Sequence, residues 1–447
     1  MKAPPPPIRG SIEHVELTAA SGRAQSLHVY LPPSYRAEAD RRYPALYMHF
    51  GQHLFDPKHP GGDSWQLHRL VERLSAQGLV EEFVVVGIDA MRASGHTDAY
   101  HYANLIDGSP CTGMDYEALI LGEVMPHVES RFRVLTGPAH TSMVGACGGA
   151  VLTYNVAARN PGVFGKIGLL STVARSAGQG DWLLGSKDLR PKALCWIDAG
   201  GAEGFFTPHA REVADNLLAS GARPGVDVFY LLEPDGIHGD ASWGERMANP
   251  LLLFYGDVGK PVSAELRGGD TVGVGGVPLT LNPILEYDSG FRMTALDADY
   301  EVADPAVLRV GRDGRVSGLS EGSTEVKFRA DGVEAARTIR VSPGLPEQVP
   351  LTLRARVIED RPALALIYFS HLGLTRGADG VYEGSFSLPR GYALSDRFSC
   401  GMRKFELRFD GSPAPLRHIR ADADATLAFT VERWPDLDAA SGKGSAD

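Results

Sequence analysis

The stretch Thr141–Asn160 (TSMVGACGGAVLTYNVAARN) holds the residue types and spacing best suited to covalent chemistry. A β-prone run leads into Gly145-Ala146-Cys147-Gly148-Gly149, and a helix-forming run follows at once. That is the pattern of a nucleophile elbow, G-x-Nuc-x-G, with cysteine in the nucleophile's place. The glycines are required because such a turn brings backbone segments together and strains the nucleophile's φ/ψ. The helix that starts there aims its first amides and positive dipole end at the nucleophile, which favours a thiolate. A base and an orienting acid must follow, in the order nucleophile, acid, histidine. His238, in the loop Glu233–Asp240 (EPDGIHGD), lies past the end of the strand-like Val226–Leu232, where open parallel sheets place their ligands. Glu203, in the loop after Ala193–Ala199 (ALCWIDA), is the acid that position favours. Asp198, still on that strand, competes with it, and Glu233 and Asp235 stand near His238 in sequence. Acyl transfer also needs two oxyanion donors. Gly148, directly after the nucleophile, offers one amide, and Gln52, in the turn His49-Phe50-Gly51-Gln52, offers the other.

The elements needed to position these groups alternate. Ser26–Leu31, Ala45–Phe50, Phe83–Asp89, Thr141–Val144, Lys166–Leu170, Ala193–Ala199 and Val226–Leu232 read as strands, several of them apolar enough to be buried on both faces. Trp65–Gln77, Ala150–Arg159, His209–Ser220 and Trp243–Tyr255 read as helices. The alternation over residues 11–258 predicts a mainly parallel sheet covered by helices on both faces. After Gly256 the pattern changes to short β-prone pieces separated by Gly, Asp and Pro, with Gly256–Pro261 and Pro343–Pro346 as linkers. Gly273-Val274-Gly275-Gly276 lacks the strand-then-helix context of a nucleotide loop.

Bulk composition narrows the classes. The chain has 447 residues, enough for two or three domains, with 44 basic and 55 acidic side chains and a formal charge of −11. That balance argues against a nucleic-acid partner. No apolar run approaches the roughly 18–20 residues of a membrane-spanning helix, so no membrane partner is expected. The start, Met1-Lys2-Ala3 followed by Pro4–Pro7, lacks the apolar stretch of a secretory signal, and the expected compartment is the cytoplasm. Four cysteines, Cys111, Cys147, Cys195 and Cys400, are too few for a disulfide framework and match no CxxC spacing. His49, His53, His59, His68, His96, His101 and His140 show no metal-ligand spacing, so neither metal nor cofactor is expected.

On these residues, 11–258 resembles the putative-esterase branch of the α/β-hydrolases, which includes esterase D, feruloyl esterases and enterochelin-esterase-like proteins. The matching stretches are Tyr43–Asp56 (YPALYMHFGQHLFD), Gly62–Trp65, Val84–Ala90, Glu123–Arg133, the elbow, Asn160–Ser171 and Gly236–Trp243 (GIHGDASW). The resemblance implies Cys147 as nucleophile, Glu203 as acid, His238 as base, and Gln52 and Gly148 as oxyanion donors. Arg92 and Tyr100, within a loosely corresponding stretch, and Phe50 are implied to line the substrate pocket. Two departures stand out: Cys147 replaces serine, and Phe50 replaces an aspartate that often precedes the Gly-Gln. A thioester intermediate at cysteine can be captured by an amine or alcohol as well as by water.

Beyond the hydrolase-like part, Tyr300–Val341 resembles group 2 bacterial immunoglobulin-like domains, through Asp304-Pro305, Asp313-Gly314 and Gly322-Ser323-Thr324. Pro346–Trp434 resembles a starch-binding-type carbohydrate-binding module, through Gly380–Pro389 and Val431–Trp434. The indole-bearing loop such modules use to stack sugars is missing near Phe369–Leu374, which weighs against glycan binding and leaves a structural or dimerising role. The expected organisation is an α/β-hydrolase domain over 1–258, β-sandwiches over 262–343 and 346–436, and a flexible tail over 437–447. The expected function is acyl transfer to water or another acceptor from a small-molecule ester or thioester. The alternative is a non-catalytic or strongly impaired scaffold that keeps the hydrolase fold, with homo-oligomer contacts through the β units.

Overall fold

The computed structural model describes residues 8–19, 22, 24–55, 64–89, 111–175, 182–184, 190–359, 364–401 and 404–435. Arg92, Tyr100 and the 437–447 segment lie outside the described residues. Eight strands form one sheet in the order β1-β2-β4-β3-β5-β6-β7-β8. They are β1 Ser11–Thr18, β2 Ala24–Leu31, β3 Ala45–His49, β4 Val84–Ile88, β5 Thr141–Ala146, β6 Lys166–Leu170, β7 Leu194–Gly200 and β8 Val228–Glu233. β1 and β2 are antiparallel to their neighbours, and the other six strands run parallel. β3, β4 and β5 are buried at every residue, as their unbroken apolar runs predict for strands covered on both faces.

Successive side chains of one strand feed opposite cores. Ala45 and Tyr47 join a cluster with α2 Gly113–Leu119, α3 Met125–Arg131, α4 Gly148–Arg159 and α5 Thr207–Ala219. Leu46 and Met48 join a second cluster with α1 Leu67–Ala76 and α7 Ala248–Tyr255. The helix expected over Trp243–Tyr255 is two helices, α6 Asp240–Arg246 and α7. Pro250 is the cause: it has no N–H to return to the Arg246 carbonyl, and its ring would clash there. α2 and α3, which no periodicity announced, are joined by a π-helical turn over Ile120–Val124. Pro126, in the first turn of α3, likewise cannot donate to the preceding turn. Among the described residues no helix is long and apolar enough to cross a membrane.

Residues 261–342 form four-, three- and three-stranded sheets, and 348–431 a six-stranded sheet with a two-stranded companion. The first of these units shares a core with the hydrolase-like part. Phe291 is fully buried, with its ring 5.7 Å from Trp196 of β7 and 6.2 Å from Phe229 of β8. Thr294 Oγ1 accepts from Leu232 N–H, Asn282 Nδ2 donates to Leu232 C=O, and Arg292 pairs with Glu233 at 2.6 Å. The strand Arg292–Thr294 therefore shields the edge of β8, which would otherwise present an open row of backbone groups. The second unit has its own core, built on Val349, Leu351, Leu353, Phe369, Phe398 and Trp434.

Candidate active site

The elbow forms where β5 meets α4. Cys147 has φ 52° and ψ −121°, a strained conformation for a non-glycine residue, and Gly148 opens the helix. The Cys147 amide donates to Leu170 C=O at 2.9 Å, and its carbonyl accepts from Ala150 N–H at 3.0 Å, so the turn is locked on both sides. The spacing of the glycines has a steric cause. A Cβ on Gly145 would lie 2.3 Å from the Gly149 carbonyl carbon and oxygen, so the strand can cross over the helix start only without a side chain there.

The acid and the base come from neighbouring strand ends that are tied together. Gly201 N–H donates to Glu233 C=O, and Ala202 N–H donates to Gly236 C=O. This pairing brings Glu203 Oε2 to 3.2 Å from His238 Nδ1. The other ring nitrogen is left free of Glu203, and Cys147 is among the groups that act on the imidazole. Phe206 stacks on the ring at 3.8 Å, and Trp243 meets it edge-on at 4.8 Å. Burial by these walls favours the neutral imidazole, but interactions with Cys147 and with the Glu203 carboxylate outweigh it, and the His238 pKa is pushed up to about 10.

Glu203 is fully buried and its remaining oxygen is fully used. Oε1 accepts from the Ser171 hydroxyl and the Gly200 N–H, both at 2.8 Å, and pairs with Arg246 Nη2 at 2.9 Å. Burial raises its pKa, yet the His238 hydrogen bond and Arg246 together hold it below the ordinary glutamate value. Asp198, its competitor on the strand, faces elsewhere: it accepts from Trp196 Nε1 and Arg246 Nε and does not reach His238. Its carboxyl is pushed up to about 6 by burial, against the pull of Arg246. Glu233 is engaged by Arg292, and Asp235 is exposed. Of the four acids considered, Glu203 alone is joined to the imidazole.

Phe50 and Gln52 lie in the turn after β3. Phe50 adopts a left-handed conformation, φ 56° and ψ 49°, and caps a short 3-10 turn over Gly51–His53. Gly51 is required because a Cβ there would sit 2.6 Å from the Gly87 carbonyl carbon of β4. The turn is anchored from below: His53 Nδ1 is 2.9 Å from Asp240 Oδ2, and Trp65 Nε1 donates to Asp240 Oδ1 at 3.0 Å. Asp240 opens α6, two residues after His238, so one carboxylate ties the Gln52 turn to the histidine loop.

Sequence reasoning missed Arg246, Ser171 and Asp240. An arginine within an apolar helical run was the one available signal for Arg246; Ser171 and Asp240 lie in stretches that carry the resemblance, Asn160–Ser171 and Gly236–Trp243, but no role was read for either. Ser171 has φ 48°, accepts from Trp243 Nε1 and Arg246 Nη2, and donates its own hydroxyl proton to Glu203.

Comparison with known proteins agrees with this layout in its broad class. Part of the chain is 27% identical, over 166 residues, to an endo-1,4-beta-xylanase/feruloyl esterase of Xylanibacter ruminicola, covering 36% of this chain and 22% of that protein. It is 29% identical over 146 residues to the uncharacterized protein YbbA of Bacillus subtilis, covering 32% and 54% respectively. The chain thus matches well under two thirds of the length of either relative. A ferulic acid esterase structure from Anaeromyces mucronatus aligns at 17% identity and TM-score 0.45, over 54% of this chain and 90% of that one. The enterobactin esterase FES of Shigella flexneri aligns at 13% identity and TM-score 0.45, over 55% and 58%. Residues 18–253, more than half of the chain, match the family described as "Putative esterase", and the chain belongs to that family of esterase-type enzymes.

Proposed function

We propose that the protein is an acyl-transfer enzyme in which Cys147, His238 and Glu203 act as nucleophile, base and orienting acid. The observation that carries this reading is that His238, joined to Glu203 at 3.2 Å, has its pKa raised by interaction with Cys147, which stands on a strained elbow. The resting thiolate–imidazolium pair attacks the carbonyl of an ester or thioester. The Gly148 amide, at the first turn of α4, and the Gln52 amide receive the oxyanion. His238 then gives its proton to the leaving group, and water, an alcohol or an amine resolves the thioester. Feruloyl and related aromatic esters are the acyl class that the Xylanibacter relative's name suggests testing first.

Intact-mass measurement after incubation with an activated aryl ester or an acyl thioester tests the proposal. The expected result is one acyl adduct on the chain, absent in Cys147→Ala. No adduct with any donor class would sink it and leave the scaffold alternative standing. Cys147→Ser is the companion variant: a gain in plain ester hydrolysis would show that the thiol serves an acceptor other than water.

A further inference from the structure

Two fully buried carboxylates, Asp198 and Glu203, share one guanidinium behind the imidazole. Arg246 of α6 is itself buried, and its five N–H groups face five acceptors. Nε meets Asp198 Oδ1 at 2.9 Å. Nη2 meets Glu203 Oε1 at 2.9 Å and the Ser171 hydroxyl oxygen at 2.7 Å. Nη1 meets the Ser242 hydroxyl oxygen at 3.1 Å and the carbonyl of Ile237, the residue before His238, at 3.3 Å. One side chain therefore grips β7, the end of β6, the acid loop, the base loop and α6.

The partners of that guanidinium are held in their turn. Trp196 Nε1 donates to Asp198 Oδ2 at 2.8 Å, so both oxygens of the carboxylate are used on β7. The Ile237 N–H donates to the Ser242 hydroxyl oxygen at 3.1 Å, so Ile237 is fixed at both its N–H and its C=O. A Cβ on Gly236 would lie 2.8 Å from Arg246 Nη1, and the base loop passes this close only because it carries no side chain there. Ser171 keeps a left-handed backbone, φ 48°, where glycine is the unstrained choice. Its hydroxyl fills the space between Arg246 Nη2, Glu203 Oε1 and the Trp243 indole.

We infer that Arg246 is a positioning residue of the proposed reaction, setting the acid loop against the base loop, and that Asp198 anchors it there. The inference rests on the reading of Glu203 as orienting acid and His238 as base. Nη2 occupies Oε1 and leaves Oε2 as the oxygen for His238 Nδ1, at 3.2 Å. Nη1 at the same time holds the residue before that histidine. Both ends of the Glu203–His238 hydrogen bond are thus set by one planar fork, which a point-like ammonium could not replace. Among the described residues Asp198 accepts from Trp196 and Arg246 and from neither member of that bond, so its hold on the bond runs through the Nε edge of the fork.

The test reads the Glu203–His238 hydrogen bond first and turnover second. The downfield proton NMR resonance of His238 Nδ1–H, identified by its loss in His238→Gln, reports that bond without substrate. Arg246→Lys keeps the charge but offers three donors where five acceptors wait. The expected result is a shifted or broadened resonance, and a fall in kcat of about 10–100-fold with KM for an activated aryl ester little changed. Asp198→Asn must set its NH2 group against Trp196 Nε1 or Arg246 Nε, both donors, and should move the same resonance. It carries the measurement if the lysine variant does not fold. An unmoved resonance in folded variants overturns the inference, even where the urea midpoint falls, because that is the mark of a purely structural arginine. Failure of acyl transfer is separate: a chain that forms no adduct yet shows the moved resonance sinks that reading and keeps this one, and an adduct with an unmoved resonance does the reverse.

Discussion

Replacing Glu203 with glutamine exchanges one oxygen of the site for an NH2 group and has a calculable result. Oε1 is fenced by the Ser171 hydroxyl, the Gly200 N–H and Arg246, all donors, so the amide oxygen of the introduced side chain must take that place. The amide NH2 then faces His238 Nδ1, where a carboxylate oxygen stood at 3.2 Å. A donor there forces Nδ1 to accept, which turns the Nε2 proton toward the sulfur. That is the wrong tautomer for taking the thiol proton. The lost ionic attraction at 3.2 Å is at most about 5 kcal/mol at an effective dielectric near 20. With 23% of the His238 side chain exposed to solvent, about 1–3 pKa units is the reasonable share. The expected outcome is a fall in kcat/KM of about 10³–10⁴, with the pH dependence of Cys147 alkylation by iodoacetamide displaced upward because the imidazolium no longer supports the thiolate. Peptide mapping assigns the alkylated cysteine, and circular dichroism checks the fold. A loss below about tenfold with an unmoved alkylation profile in native protein refutes the assignment of Glu203 as the orienting acid.

Other variants test the scaffold. Gly145→Ala should cost about 1–3 kcal/mol or more in urea unfolding and displace the elbow, because the added carbon meets the Gly149 carbonyl at 2.3 Å; a fully active, equally stable variant would contradict the crossing described. Phe291→Ala should destabilise the chain by about 3–5 kcal/mol and broaden the response of Trp196 fluorescence, since the ring fills the joint between β7, β8 and the first β unit. Independent unfolding of that unit, with the tryptophan signal unchanged, would argue against the shared core. His49 is buried beside Thr153 and Tyr116, and burial lowers its pKa to about 3, against about 6.5 in an open chain. The unfolded state therefore binds the extra proton between about pH 6.5 and 3: stability is intact above that window and falls as pH falls through it. At pH 5 the loss is about 2 kcal/mol relative to pH 7, and His49→Gln should flatten the difference in paired urea titrations.

The strands, their order along the chain and the elbow were legible because each is a local pattern. Lys166–Leu170 is a strand with the boundaries its apolar run implied, and Cys147 stands between the glycines that its turn demands. The division of Trp243–Tyr255 was also written locally, in Pro250, but the apolar periodicity across it masked the break. What could not be read are contacts made by distant segments. Arg246 joins Asp198 to Glu203 across 48 and 43 residues, and Asp240 joins α6 to Trp65 and His53 across 175 and 187. The first β unit reads as a string of turns and short strands, with nothing to say that Phe291 would pack on Trp196. Arg92 and Tyr100 fall outside the described residues, so the pocket lining expected of them stands as a proposal beside Phe50.

On the proposed reading, a cysteine nucleophile at this elbow also resolves a conflict that one imidazole otherwise faces. Before attack, His238 is most useful protonated, because an imidazolium sustains the thiolate; after acylation it is most useful neutral, because it must accept a proton from the incoming water, alcohol or amine. Among the causes that raise the His238 pKa, the interaction with Cys147 comes ahead of Glu203. Acylation turns that sulfur into a neutral thioester and removes its share of the support at the moment the base is needed. With serine the resting nucleophile is neutral, and no such change in charge accompanies acylation. The remaining support, from Glu203, then decides how far the imidazole's pKa falls in the acyl-enzyme. Too much negative charge there would leave His238 protonated and the thioester stranded.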